Sequence, residues 1–105
     1  MLNFSKDLDF NKIIKENELV LFDFGQENCT RCKTLEINIE NYLKNNNLLV
    51  YYVDVKDNMK LVRSKNIYAS PCVLIYYKGE QVYKNLGTFD FNEVINKINE
   101  LKNKI

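Results

Sequence analysis

A chain of 105 residues, 46% hydrophobic and 28% charged, is long enough for one domain spanning residues 1–105 to bury a core without disulfide or metal staples. Fifteen Lys and Arg against fourteen Asp and Glu leave a net charge of +1, an electrostatic balance that calls for neither nucleic acid nor an anionic membrane as partner. Histidine is absent, which removes the commonest general base and the commonest metal ligand, and neither cofactor nor bound metal is expected.

The first seven residues, Met1 to Asp7, lack a charged stretch followed by an apolar one, so no signal peptide is read there. The longest apolar runs are strand-sized and too short to span a membrane. The expected compartment is the cytoplasm, where thiols stay reduced and cysteines serve reactivity or metal binding more often than structural bridges.

Residues 2–4 suit a short first strand. Asp7 and Asp9 can cap a helix with an apolar face of Phe10, Ile13 and Ile14 that ends near Asn17. Residues 18–24 form an apolar run broken by one carboxylate, Asp23, as in a central strand covered on both faces. Cys32, Leu35, Ile39, Tyr42 and Leu43 fall on one helical stripe, which Asn45, Asn46 and Asn47 end. Residues 48–53 read as a second buried strand, and a short helix over 57–64 is expected to turn Met59, Leu61 and Val62 inward.

After Pro71, residues 72–77 are a third buried strand, Lys78-Gly79 is a turn, and residues 81–86 alternate as the edge strand of a hairpin. Gly87 breaks that strand. Asp90 is the expected N-cap of the last helix, with Glu93 at its third position and Phe89 stapled onto Val94; Ile95, Ile98 and Leu101 continue the stripe. The order β-α-β-α-β-α-β-β-α, with right-handed crossovers and a late hairpin, predicts an α/β fold: a central mixed five-stranded sheet flanked by four helices. Tyr51, Tyr52, Tyr76 and Tyr77 are expected to be sheet residues whose hydroxyls reach the surface.

The chemistry is concentrated at Cys29 and Cys32, directly after a buried strand and in the first turn of a helix. A helix N-terminus offers unpaired N–H groups and a partial positive charge, which favour thiolate over thiol. Arg31 and Lys33 add positive charge. Lowering a thiol pKa from ~8.5 to ~7 raises the thiolate fraction at neutral pH from a few per cent to about half, and only the thiolate attacks a disulfide. Cys29, nearer the mouth of the turn, is the expected nucleophile. Cys32, one turn inward on the buried stripe, is the expected resolving cysteine.

Other readings of these residues exist. Cys29 and Cys32 also fit half of a zinc site that Cys72 and carboxylates would have to complete, or a cluster shared between two chains. Asp23 fits a backbone-bonded strand end as well as a buried proton acceptor for Cys32. Pro71 fits a trans proline at a strand start. Cys72 fits a small core residue, since side chains alternate along a strand and a free cysteine is often buried.

At the segment Asp23-Phe24-Gly25-Gln26-Glu27-Asn28-Cys29-Thr30-Arg31-Cys32-Lys33 the chain resembles the thioredoxin family, in which a strand ending Asp-Phe leads to Cys-x-x-Cys-Lys. Ser70-Pro71-Cys72 stands where that family has a cis-proline before its fourth strand. Lys78-Gly79-Glu80 is similar to the family's hairpin turn, and Gly87 to its glycine before the last helix. The resemblance implies the thioredoxin fold and a protein-disulfide reductase. It implies Asp23 as proton acceptor and a cis Pro71 that aims the Ser70 backbone at an extended peptide, with Ser70, Pro71, Thr30 and Arg31 as substrate contacts. It also implies disulfide-containing protein substrates, a thioredoxin reductase or other electron donor as partners, and a monomer.

The chain departs from the family at Asn28 for tryptophan, Thr30-Arg31 for Gly-Pro, Ile37 for the helix-kinking proline, Tyr52 for lysine and Cys72 for threonine. These departures keep two alternatives in play: a glutathione-linked or substrate-dedicated relative, and a thioredoxin-fold metal- or cluster-binding module with little turnover.

Overall fold

Side-chain alternation along the buried strands decides which helices cover which face of the sheet. The protein is described here by a computed structural model covering residues 1–87 and 90–105. Its elements are β1 (Leu2–Asn3), α1 (Phe10–Glu16), β2 (Leu19–Gly25), α2 (Thr30–Leu43), β3 (Leu49–Asp54), α3 (Met59–Ser64), β4 (Cys72–Tyr77), β5 (Glu80–Leu86) and α4 (Phe91–Lys102). The five strands form one sheet in the order β1-β3-β2-β4-β5. β1 and β2 both run parallel to β3, β4 is antiparallel to β2, and β5 is antiparallel to β4. This is the expected mixed sheet with four helices.

Along β2, Val20, Phe22 and Phe24 point to one face, where they pack with Phe10, Ile13 and Ile14 of α1 and Val62 of α3. Leu21 points to the other, against Leu35 and Ile39 of α2 and Val94, Ile98 and Leu101 of α4. β4 divides in the same way: Cys72, Leu74 and Tyr76 join the α1/α3 side, Val73 and Ile75 the α2/α4 side. Phe22, fully buried, meets the ring of Phe10 at 4.4 Å between centroids. Removing such a ring costs about 3–5 kcal/mol.

The turns and caps follow residue chemistry. Lys78 (φ 52°) and Gly79 (φ 82°) form the two-residue link of the β4–β5 hairpin, and positive φ at both positions matches the right-handed twist of the strands. Asp9, not Asp7, caps α1 by accepting from the Lys12 N–H at 3.2 Å. Asp90 caps α4 by accepting from the Asn92 N–H at 2.9 Å. Glu93 does not reach back to complete a capping box; its Oε1 accepts instead from the Tyr83 hydroxyl at 2.8 Å, tying α4 to the edge strand. The expected Phe89–Val94 staple lies outside the described residues.

Two other expectations are corrected. α3 starts at Met59 rather than 57, and Met59 is 41% exposed because this first helical position lies at the mouth of a cavity shared with Leu8. The buried residue of that short helix is Val62. Tyr76 does not reach the surface: it is 4% exposed among the rings of Phe10 and Phe22, and its hydroxyl lies 3.4 Å from the Gln81 Oε1. Burial pushes that phenol above its ordinary pKa.

Candidate active site

β2 ends at Gly25, and four residues later the chain enters α2 with Cys29 as its N-cap. Asn28 holds φ 60°, a turn that asparagine tolerates better than most residues, and it delivers Cys29 in an extended conformation. The Cys29 Sγ accepts from the Cys32 N–H at 3.2 Å, one of the orphan donors at the helix start. This places a sulfur where backbone N–H groups favour negative charge. Cys29 and Cys32 are bonded to each other, with Cα atoms 5.2 Å apart, so the structure is that of the oxidised form. Cys29 is half-buried, whereas Cys32, on the inward stripe with Leu35 and Ile39, is 2% exposed.

Thr30 and Arg31 are both exposed beside the pair. Lys33 is largely solvated, and its Nζ lies 3.9 Å from Glu36 Oε2, so part of its charge is answered within α2. The Ser70–Pro71 peptide bond is cis. Pro71 is buried, and its carbonyl accepts from the Gly87 N–H at 2.8 Å, which fastens this loop to the end of β5. Arg31, Thr34, Asn38, Pro71, Gly87 and Phe91 line a groove of about 260 Å³. Thr30 and Ser70 lie outside that groove; Ser70 lines a second, comparable hollow with Gln26 and Tyr68.

Asp23 follows Leu21 on the α2-facing side of β2 and has no exposed surface. Neither of its carboxylate oxygens has a hydrogen-bond partner among the described residues. Burial, and after it the negative charge of Glu36, push its carboxyl from an ordinary 3.8 to about 7. A group with that proton affinity accepts and returns a proton near neutral pH. Directly across the sheet stands Tyr52, its phenol pushed up to about 12 by burial and then by the charges of Asp54 and Asp23.

Cys72 is fully buried on the opposite face, in the cluster with Phe24 and Phe4. It stays a free thiol, and burial pushes it up to about 12 despite the opposing charge of Lys84. Alternation after Pro71 sends its side chain away from α2, so it packs and does not face the dithiol side.

Three features of the site escape a reading of the sequence. Gln26 Nε2 donates to the Ser70 Oγ at 2.7 Å, linking the cysteine loop to the cis-proline loop. No local sequence pattern announces a contact across 44 positions. Gly25 is closely approached by Tyr52: a Cβ there would lie 3.0 Å from both Cε1 and Oη of that ring, which would have to give by a few tenths of an ångström. A glycine inside a strand pattern is the one signal that points to this. The third is Glu36, one turn beyond Cys32, whose charge reaches Asp23.

Known proteins share this fold, and the family that matches covers the segment with the two cysteines. The thioredoxin family model matches residues 2–100. The curated protein "Thioredoxin 1" of Plasmodium falciparum (isolate 3D7) is 34% identical over 83 residues, 78% of this chain and 80% of that protein. The oxidised thioredoxin of Plasmodium falciparum, solved in solution, superimposes with a TM-score of 0.76 at 29% identity, over 92% of this chain and 96% of the other. A mutant thioredoxin from Halobacterium salinarum NRC-1 does so with a TM-score of 0.84 over 95% and 88% of the two chains; at 24% identity it speaks for the fold alone.

Proposed function

The chain belongs to the thioredoxin family and is a thiol–disulfide oxidoreductase, and from that premise we propose how its residues divide the work. Cys29 attacks one sulfur of a protein disulfide as a thiolate, and the other substrate sulfur leaves as a thiolate. Cys32 gives its thiol proton to Asp23 and attacks the Cys29 sulfur. The Cys29–Cys32 bond forms, the mixed disulfide breaks, and the second substrate thiolate departs. Both substrate thiolates take protons from water, and two electrons have passed from the protein to the substrate. The observation that carries this division is the unequal burial of the two sulfurs: one half-open at a helix start, the other enclosed one turn inward.

Family membership implies disulfide substrates and a reductase partner in general. The finer reading is a protein-disulfide reductase of one domain over residues 1–105, acting as a monomer in the cytoplasm. There a flavin-dependent thioredoxin reductase or another dithiol donor restores the pair and feeds electrons into cell redox homeostasis. Thr30, Arg31, Ser70 and the cis Pro71 are the proposed substrate contacts, with an extended peptide lying along the Ser70 backbone.

Arg31 on the groove beside Pro71 favours a second reading, a member dedicated to substrates, glutathione included, that carry a carboxylate near the disulfide. Reduction of insulin with dithiothreitol as donor tests the first reading, and reduction of glutathione disulfide tests the second. Turnover of insulin that Cys29→Ser removes supports the proposal. An inert parent protein with a fully reduced dithiol contradicts it.

A further inference from the structure

A cleft of about 800 Å³ opens at the carboxyl ends of the parallel strands β1 and β3, between residues 4–10 and α3. The rings of Phe4 and Phe10, part of the core, are among its lining residues. Leu8 and Met59, 40% and 41% exposed, stand on its walls with the half-buried Leu61. Among the described residues these two are in the short set of large apolar side chains left in water, and both line the same cleft.

The charges on the cleft are unbalanced. Lys6, Lys56 and Lys60 line it against a single carboxylate, Asp57, on a chain whose net charge is only +1. Lys56 has an exposed partner, Glu27, at 3.7 Å. Lys6 and Lys60 have no ion pair among the described residues. The cleft has the size of a small-molecule site, and its lining combines an apolar interior with a few cationic groups at the edge. A purely apolar ligand leaves the lysines unanswered, and a bare phosphate leaves Leu8 and Met59 wet. A ligand with both an apolar body and one anionic head answers both.

We propose that this cleft binds a small amphiphilic carboxylate, its tail along Leu8, Met59 and Leu61 and its head between Lys6 and Lys60. The cleft shares no residue with the groove beside Pro71, and it adjoins the Ser70 hollow only through Met59, which lines both.

Decanoate titrated into isotope-labelled full-length protein tests this by amide chemical shifts, with decanol as the neutral control. Decanoate should give saturating shifts at Leu8, Met59 and Leu61 and bind more tightly than decanol. The double variant Lys6→Gln/Lys60→Gln should weaken decanoate by about fivefold, the range of two exposed ion pairs, and leave decanol unchanged. Leu8→Asp should lose both ligands. Insulin reduction should persist in all variants, which shows that they fold. No saturation up to ~1 mM decanoate, or equal decanoate affinity in the double variant, would overturn the proposal. So would silence toward decanoate while an acidic amphipathic peptide shifts the same amides, since the cleft would then be a protein-docking surface.

Discussion

Cys32 and Cys72 are both buried cysteines, 2% and 0% exposed, yet they sit on opposite sides of one sheet and in opposite chemical settings. Cys32 lies at the start of a helix, bonded to a half-open partner, on the face that holds the buried carboxyl of Asp23. Cys72 lies among Phe4, Phe24 and Leu74, where burial pushes its thiol up to about 12. Burial alone therefore says little about a cysteine's chemistry. What separates the two is place: Cys32 sits in the first turn of a helix beside a half-open partner, whereas Cys72 lies inside a strand, where the Lys84 charge does not offset burial.

The sharpest way to break that contrast is to remove the sulfurs in turn. Cys29→Ser should reduce insulin no faster than the buffer does. Cys72→Ser should stay within about twofold of the parent, although a hydroxyl buried without a partner should cost about 1–3 kcal/mol of stability by chemical denaturation. A large activity loss in Cys72→Ser at preserved fold would mean that the two faces are not chemically distinct.

Asp23 gives the next largest effect, and its sign is fixed by the raised proton affinity. Below an ordinary 3.8 the carboxyl is protonated in both states and contributes no pH dependence. Between there and about 7 the unfolded chain loses the proton that the folded chain keeps, so stability falls as pH rises. Over that window the loss reaches at most about 4 kcal/mol. Asp23→Asn should therefore stabilise the oxidised protein at pH 8 and bring no gain from this linkage at pH 3. The same substitution should slow turnover more at neutral than at alkaline pH, where hydroxide can take the Cys32 proton. A denaturation midpoint that responds to pH identically in parent and variant would show that Asp23 is not the titrating group.

Much of this arrangement is legible in the residues. Helix stripes, capping aspartates and the apolar runs of β2, β3 and β4 mark the elements, and the cysteine spacing at a strand–helix junction marks the site. Local patterns announce less where contacts join distant segments. The Gln26–Ser70 hydrogen bond spans 44 positions, and Tyr52 approaches Gly25 only because β3 lies beside β2 in the sheet. Met59 departs from its expected inward position because a helix of six residues is too short for its stripe to decide which end is covered. Glu93 suits its own helix cap by spacing, but a tertiary partner, Tyr83, claims it.

The smallest expected effect sharpens the electrostatic half of the contrast. In reduced protein, iodoacetamide should modify Cys29 first, with a rate–pH midpoint below ~8.5, and Cys72 last. Arg31→Glu should raise the Cys29 midpoint by a few tenths of a pH unit, since an exposed charge acts through water. A parent midpoint at ~8.5 would show that the helix start and Arg31 do not activate the thiol.

The central claim is that Cys29 meets the substrate and Cys32 releases it, with Cys72 a bystander. Incubating reduced Cys32→Ser protein with a disulfide-bonded peptide and mapping the adduct by mass spectrometry tests this most directly. The account predicts a stable, near-stoichiometric mixed disulfide on Cys29 and none on Cys72. A mixed disulfide that accumulates on Cys32 in Cys29→Ser but not on Cys29 in Cys32→Ser, or one carried by Cys72, would contradict it.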